Sequence, residues 1–176
     1  LLAPFDNYTV KMRNLGFICY HIQIDRKGIS IINDLFLIYK YLLFFKKIKP
    51  KFILSFTIKP NIYASLISRV LKIKIINNIS GLGTVFIKKN LITSLVIQLY
   101  KLSISKSYTV FFQNRDDMEY FISKKITNMN NSFLIPGSGI DLNKFKYKKL
   151  EVMETISFLY LGRIIWDKGL FELFEA

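Results

Sequence analysis

Residues 51–79 read KFILSFTIKPNIYASLISRVLKIKIINNI and predict a buried strand, a helix and a second buried strand in close succession. The predicted strands are residues 51–56 and 74–79, which are rich in β-branched and aromatic side chains, and the predicted helix is residues 61–71. Two strands joined by a helix of this length form a unit in which the strands are parallel. This stretch therefore predicts an α/β fold with a parallel sheet.

The same alternation continues on both sides of this unit. Before it, a strand is predicted at 16–24, followed by a helix that begins at Asn33 or Asp34 and is bounded by Pro50. After it come a helix from residue 91, a strand at 109–112, a helix at 115–125 capped by Asn114 and a strand at 132–135. The predicted core-facing residues of the two longer helices are Leu35, Ile38, Tyr41, Leu42 and Phe45, and Leu91, Leu95, Leu99 and Leu102.

The pattern divides the chain into two domains. Residues 1–137 form the first domain, which we expect to lack its first strand because the chain begins with Leu1 and has the character of an internal fragment. In residues 138–154 the alternation of strands and helices stops and Gly, Asp, Asn and Lys become frequent, which predicts a linker. A buried strand at 156–161 and a helix near the end then indicate a second α/β domain that begins at residue 155. No apolar stretch reaches the roughly 20 residues needed to span a bilayer.

The cysteine and histidine counts argue against several classes of chemistry. The chain has one cysteine, Cys19, and one histidine, His21, although 51% of its residues are hydrophobic, enough for a large core. Disulfide frameworks and Cys/His zinc clusters need more of these residues, and a Ser-His-Asp or Cys-His relay would depend on His21 alone. Both residues lie in an apolar run and are interpreted as core residues.

The charge is concentrated in one part of the chain. The formal net charge is +14, and residues 35–115 contain fourteen basic residues and no acidic one. A segment of one charge sign, interleaved with apolar residues, indicates an anionic partner, either a membrane or a polyanion. A lysine-rich compositional bias is the alternative explanation.

Three loops at the ends of predicted strands are candidate binding sites, since ligands of open parallel sheets bind there. In the loop at 162–169, Gly162 permits close approach, and Arg163 and Lys168 offer cations suited to a diphosphate; the alternative is an ordinary turn with two solvated bases. The loop at 77–84 could present backbone amides or the Ser80 hydroxyl, and Lys59 could meet another anion or simply be solvated.

Five segments, taken together, resemble one family. They are FTIKPNIY at 56–63, ISGLGT at 79–84, VFFQN at 110–114 with Asp116 and Asp117, PGSGID at 136–141 with Phe145, and GR at 162–163 with DKG at 167–169. In this order and spacing they resemble the retaining glycosyltransferases of the GT-B fold, group 1 or family 4 type, in the branch that builds bacterial capsule, O-antigen and other surface glycans. The resemblance covers nearly the whole chain.

The resemblance implies two Rossmann-like domains, an N-terminal acceptor domain and a C-terminal nucleotide-sugar domain. The residues matching Arg163 and Lys168 contact the donor diphosphate and stabilise its developing charge without a metal or other cofactor. Donor and cleft contacts fall to Gly162, Ser80, Gly81, Gly83, Gly137 and Ser138, and acceptor-side contacts to Lys59 and Asn61. Many relatives have a histidine where this chain has Ser80, so no histidine role is assigned.

The resemblance also implies the partners. A hexosyltransferase of this type takes a nucleotide-sugar, UDP-linked in our expectation, and a polyprenyl-diphosphate saccharide at the cytoplasmic face of the membrane. Lys40, Lys46, Lys47, Lys88 and Lys89 would then dock the protein peripherally on anionic lipid. The family's donor-sugar glutamate pair would lie beyond Ala176, so we expect residues 1–176 to be inactive alone.

Two other functions stay open at this point. A basic, aromatic-rich chain also binds phosphate backbones, although no recognised nucleic-acid module is present and specific nucleic-acid binding is not expected. The chain could also be an inactive, truncated remnant of an enzyme.

Overall fold

A computed structural model of the chain describes residues 1–25, 30–83, 86, 91–149, 158–162, 164 and 169–175. The chain divides into two compact units, Leu1–Gly137 and Ser138–Ala176. Their assignment to an acceptor domain, a linker and the start of a nucleotide-sugar domain stays a prediction. The described elements of the first unit are β1 Leu2–Ala3, α1 Tyr8–Asn14, β2 Tyr20–His21, α2 Ile31–Ile48, β3 Phe52–Phe56, α3 Ile58–Val70, β4 Lys74–Ile79, α4 Leu91–Ile104, β5 Thr109–Phe112, α5 Arg115–Ser123, a 3-10 turn Met129–Asn131 and β6 Ser132–Leu134. In the second unit, α6 is Leu170–Glu175.

The strands form two parallel sheets. β3, β4, β5 and β6 lie side by side in chain order, and β1 pairs with β2 in a separate two-stranded sheet. The register aligns Ile53 with Ile75 and Ile79 with Phe112. The predicted α/β fold with a parallel, Rossmann-like sheet is therefore confirmed.

One face of the four-stranded sheet carries the core. Ile75, Asn77 and Ile79 alternate along β4 and are buried, as are Val110 and Phe112 on β5. Helices cover this face: Ser65 of α3 accepts a hydrogen bond from Asn77, and Phe121 of α5 packs edge-to-face on Phe112 with ring centroids 5.3 Å apart. Successive strand residues point to opposite faces, so the buried residues of each strand lie on the one face that the helices cover.

The opposite face of this sheet is apolar and exposed. Phe52, Leu54 and Phe56 of β3 are between 49% and 67% exposed, and Phe133 of β6 is 49% exposed. Phe111 and Phe133 contact one another across β5 and β6, with ring centroids 6.1 Å apart. Among the described residues, this face has no helix comparable to α3 or α5.

Two boundaries near the N-terminus differ from the prediction. The strand predicted at 16–24 is reduced to Tyr20–His21, because its partner β1 is only two residues long. Helix α2 begins at Ile31 rather than at Asn33 or Asp34, since the Ser30 hydroxyl accepts a hydrogen bond from the Asn33 amide and caps the helix.

Predicted burial is wrong on α2, on α4 and in the strand predicted at 156–161. On α2, Leu35 is 60% exposed, because the helix packs through Leu37, Tyr41 and Phe45. On α4, Leu91, Leu95 and Leu102 are exposed, and the buried residues include Thr93 and Tyr100. This helix is apolar on most sides, so its spacing does not select the side that packs. In the strand predicted at 156–161, the described residues Phe158, Leu159 and Leu161 are about nine-tenths exposed, and the described part of the second unit provides no strand to pair with them.

None of the helices in the described residues combines the length and apolarity that a membrane crossing requires.

Candidate functional site

The loops that follow β3 to β6 converge on one edge of the sheet. These strands are parallel and hydrogen-bonded in register, with Phe56 aligned to Asn78 and Phe112 aligned to Leu134. Their carboxyl ends therefore lie along the same edge, where open α/β sheets bind ligands. Lys59, the loop from Ser80 to Gly83 and Gly137 all follow these ends.

The turn between β3 and α3 has an unusual backbone. Thr57 adopts φ 68° and ψ 162°, a region that glycine tolerates and that costs other residues about 1–3 kcal/mol. The Thr57 carbonyl nonetheless accepts the first helical hydrogen bond, from the Asn61 amide at 2.9 Å. The sharp turn starts α3 directly at the edge of the sheet. Sequence reasoning missed Thr57, because a β-branched residue gives no signal of positive φ.

Lys59 in the first turn of α3 is held by Asp34 in the first turn of α2. Its Nζ lies 2.6 Å from Asp34 Oδ1, and the two side chains are only 16% and 17% exposed. Asp34 lies in the first turn of α2, where the helix dipole also stabilises the negative charge of a carboxylate. Lys59 is therefore fixed at the site edge rather than solvated. Sequence reasoning did not identify this pairing, because the two residues are 25 positions apart.

Asp34 also affects Tyr63, one turn along α3 from Lys59. Burial raises the pKa of Tyr63, and a hydrogen bond to Asp34 and the charge of that carboxylate raise it further. Asp34, Lys59 and Tyr63 thus form one polar cluster that joins α2 to the start of α3. Next to it, a pocket of about 240 Å³ is lined by Gln23, Asp25, Asn33, Asp34, Phe36, Leu37 and Lys40.

Asn61 lies inside the protein rather than at the open edge. Its side chain is 1% exposed, and its Nδ2 donates to the Asn78 carbonyl at 3.0 Å. Asn78 lies two residues before Ser80, so this bond ties the glycine loop to α3. The acceptor contact of Asn61 stays a prediction, and the burial of its side chain does not favour it.

The loop after β4 is open at its glycines. Ser80 is exposed, and Gly81 and Gly83 have φ 155° and 72°. A Cβ at Gly81 would meet nothing within 4 Å, whereas one at Gly83 would lie 3.4 Å from Ile58 Cδ1. A ligand can therefore approach the backbone at Gly81, and Gly83 brings the loop against the start of α3.

The remaining predicted donor residues lie at or beyond the end of the first unit. Gly137 follows β6 with φ 88°, and exposed Ser138 begins the second unit. Gly162 belongs to the second unit, and a Cβ there would lie 2.8 Å from the Tyr160 hydroxyl. The predicted catalytic residues Arg163 and Lys168 lie outside the described residues.

Cys19 and His21 do not occupy the core positions predicted for them. Cys19 is half-buried and His21 is exposed, because β2 lies in the small two-stranded sheet. His21 Nδ1 accepts a hydrogen bond from the Phe5 amide at 3.1 Å. Among the described residues, no three His, Cys, Asp or Glu side chains lie together in a way that could hold a metal ion.

Comparison with known proteins connects this sheet to a family. Residues 10–114 match the family described as glycosyl transferase 4-like. The chain is also 26% identical to a Campylobacter jejuni protein, N,N'-diacetylbacillosaminyl-diphospho-undecaprenol alpha-1,3-N-acetylgalactosaminyltransferase. That match covers all of this chain and 51% of the relative, so the chain spans about half the relative's length.

Proposed function

Since the chain belongs to the glycosyl transferase 4-like family, we propose that the protein containing it transfers a sugar from a nucleotide-sugar to a lipid-linked saccharide. The donor is a UDP-sugar and the acceptor a polyprenyl-diphosphate saccharide of bacterial surface-glycan synthesis, such as capsule or O-antigen. The name of the Campylobacter relative supports the acceptor class, because it includes a diphospho-undecaprenol substrate.

The observation that carries this proposal is the sheet edge within the family-matched region. Lys59, fixed by Asp34, and the open loop at Gly81 follow adjacent parallel strands. A lysine held in place and a backbone that a ligand can approach closely at such an edge suit a hydroxyl-rich substrate. Lys59 is assigned to the acceptor side, and Ser80, Gly81, Gly83, Gly137 and Ser138 to the donor and the cleft.

The proposed chemistry requires charge stabilisation at the leaving group. An acceptor hydroxyl oxygen bonds to the anomeric carbon while the bond from that carbon to the diphosphate oxygen breaks with retention of configuration, and the hydroxyl proton passes to the departing diphosphate. Arg163 and Lys168 stabilise the charge that develops on the departing diphosphate, with Gly162 allowing its close approach. No metal ion has a role in this proposal.

A transfer assay with the complete protein tests this function. UDP-sugars are offered with a short-chain polyprenyl-diphosphate saccharide, and the product linkage is read by NMR. We expect transfer with retention, and a loss of about 100-fold in kcat for Arg163→Ala or Lys168→Ala. Lys148→Ala, an exposed lysine with no assigned role, is the control. Transfer that is unaffected by the two substitutions, or no transfer from any nucleotide-sugar, contradicts the proposal.

The exposed side of α2 supports a peripheral position on the cytoplasmic face of the membrane. Lys46 and Lys47 are exposed in its last turn, and Lys40 Nζ lies 4.4 Å from the centre of the Phe36 ring. Exposed apolar residues occupy the same side of the helix: Ile31, Ile32, Leu35, Phe36, Tyr39 and Leu43. Apolar residues beside lysines suit an anionic bilayer surface. Lys88 and Lys89, predicted to join this surface, lie outside the described residues.

Vesicle co-sedimentation tests this placement. Each lysine near an anionic surface contributes about 1 kcal/mol, so we expect Lys46→Gln with Lys47→Gln to weaken binding to phosphatidylglycerol vesicles at least 10-fold. The matched control is Lys148→Gln with Lys149→Gln. Binding that changes with neither the lipid charge nor the salt concentration rules out the docking surface.

A further inference from the structure

A second pocket lies at the opposite edge of the four-stranded sheet. It measures about 150 Å³ and lies where α3 and α4 end and where β4 and β5 begin. Lys74 is the first residue of β4, and Tyr108 directly precedes β5. The pocket is therefore at the amino ends of the strands, whereas the proposed transfer site is at their carboxyl ends.

The described residues that line the pocket include four basic residues and no acidic one. They are Arg69, Lys72, Lys74 and Lys106, and serine hydroxyls and apolar side chains complete the lining. The carboxyl ends of α3 and α4 favour nearby cations, but each helix end supplies only about half a negative charge. Two helix ends therefore offset about one of the four positive charges, and the pocket keeps a strong positive potential.

Two of these cations are held in place by contacts. Arg69 Nη1 donates to the Leu102 carbonyl of α4 at 3.1 Å, which fixes the guanidinium across the ends of two helices. Lys74 Nζ lies 4.9 Å from the centre of the Tyr108 ring and 5.5 Å from that of Phe52. An arginine bonded through one nitrogen keeps further N–H donors for a ligand. The site is thus partly preorganised, unlike a group of mobile surface lysines.

The pocket's size and charge indicate the class of ligand. Its volume of about 150 Å³ is large enough for a phosphate group. A carboxylate carries one charge, whereas a phosphate monoester carries nearly two and accepts hydrogen bonds from several directions. We propose that this pocket binds a phosphate group, carried either by a soluble phosphate ester or by a lipid headgroup, at a site distinct from the sugar-transfer site.

Equilibrium dialysis of the complete protein against radiolabelled inorganic phosphate, at constant ionic strength, tests the pocket. We expect saturable binding that weakens at least 10-fold in the Arg69→Gln, Lys106→Gln double variant. The control, Lys124→Gln with Lys148→Gln, removes the same number of charges from exposed positions outside the pocket and should leave phosphate affinity unchanged. The four substituted residues are exposed at the surface, so both double variants should fold. They are Arg69, Lys106, Lys124 and Lys148.

A second comparison separates this pocket from the transfer site. Phosphate binding should persist in the Arg163→Ala, Lys168→Ala variant. If binding disappears there and survives in the Arg69, Lys106 variant, the pocket inference is wrong while the proposed transferase function stands. If the protein fails to transfer a sugar, phosphate binding at the pocket is still expected in the dialysis experiment.

Vesicles distinguish the two sources of phosphate. Phosphatidic acid exposes a phosphate monoester, whereas phosphatidylglycerol is anionic without one. In the Arg69, Lys106 variant, a loss of binding to phosphatidic acid vesicles as well as to free phosphate assigns a lipid headgroup, and a loss confined to free phosphate assigns a soluble ester. Equal losses on both vesicle types, or no loss in either assay, overturn the inference.

Discussion

Asn77 joins three segments of the first unit through a fully buried side chain. Its Nδ2 donates to Asn61 Oδ1 at 3.2 Å and to Ser65 Oγ at 2.9 Å, and its Oδ1 accepts from Ser107 Oγ at 2.6 Å. Asn131 extends the network by donating to the Ser107 carbonyl at 3.2 Å. Because buried polar groups must be paired, these bonds fix α3 and the segment before β5 against β4.

Replacing Asn77 with alanine should destabilise the protein strongly. Each buried polar group left without a partner costs about 1–3 kcal/mol, and the substitution removes partners from Asn61 and Ser107. We expect the urea midpoint of unfolding to fall clearly. Asn143→Ala, at an exposed position, should change the free energy of unfolding by less than about 0.5 kcal/mol. Equal effects of the two substitutions would show that the network contributes little.

Buried tyrosines predict a loss of stability at high pH. Burial raises the pKa of Tyr41, Tyr63 and Tyr100 above the ordinary value of about 10. Above that pH the unfolded chain loses these protons and the folded chain keeps them. Stability that is fully present below about pH 10 therefore falls as pH rises, by about 1.4 kcal/mol per pH unit for each tyrosine.

Unfolding measured between pH 8 and 11 tests this sign. Tyr100→Phe keeps the ring that packs on Phe121 and removes one ionisable group, so the alkaline fall should become shallower. Tyr147→Phe, at a position 92% exposed, should leave the slope unchanged. A fall that is steeper in Tyr100→Phe than in the parent protein is incompatible with this account.

Individual site residues were only partly predictable. Lys59 was identifiable because it follows a strand and precedes a helix, but its pairing with Asp34 spans 25 residues and depends on how α2 packs beside α3. Asn61 had the same sequence signal as Lys59, yet it lies on the buried side of α3. Position in a loop predicts nearness to the site edge, and packing decides which side chains reach it.

Strands were more predictable than helix faces. β4 and β5 have the predicted bounds, because their β-branched and aromatic runs end at clear turn residues. The packed side of α4 was predicted wrongly. Leu, Ile and Val occupy most sides of this helix, and small polar residues such as Thr93 and Ser103 face the core. Binary patterning identifies a face only when the opposite face is polar.

Helix α5 offers a test of a correctly predicted cap. Asn114 Oδ1 accepts from the Asp117 amide at 2.8 Å, and Asn114 Nδ2 donates to Asp117 Oδ2 at 2.8 Å. Asn114→Ala should lower the free energy of unfolding by about 1 kcal/mol, whereas Asn114→Ser keeps a capping oxygen and should recover most of it. Chemical denaturation measures both, and an alanine variant as stable as the serine variant would contradict the cap's contribution.

For the first unit as a whole, the main asymmetry is that, among the described residues, helices cover only one side of the four-stranded sheet. Parallel sheets are normally covered on both faces. We expect residues 1–176 on their own to self-associate through the face formed by Phe52, Leu54, Phe56 and Phe133. Sedimentation velocity should show larger species that diminish in Leu54→Lys, with Leu142→Lys, an exposed position in the second unit, as the control. A monomer at all concentrations would argue against this face being adhesive.

The same bare face has a consequence for synthesis in the cell. α3, α4 and α5 are interleaved in sequence with the strands that they cover, so one side of the sheet is shielded as the chain emerges from the ribosome. These helices do not cover the aromatic side, which therefore stays exposed after they have formed. We expect the nascent chain to bind chaperones and to be sensitive to proteases during that interval. The cellular abundance of the protein is therefore expected to depend on how quickly that side is covered as well as on the stability of the finished fold.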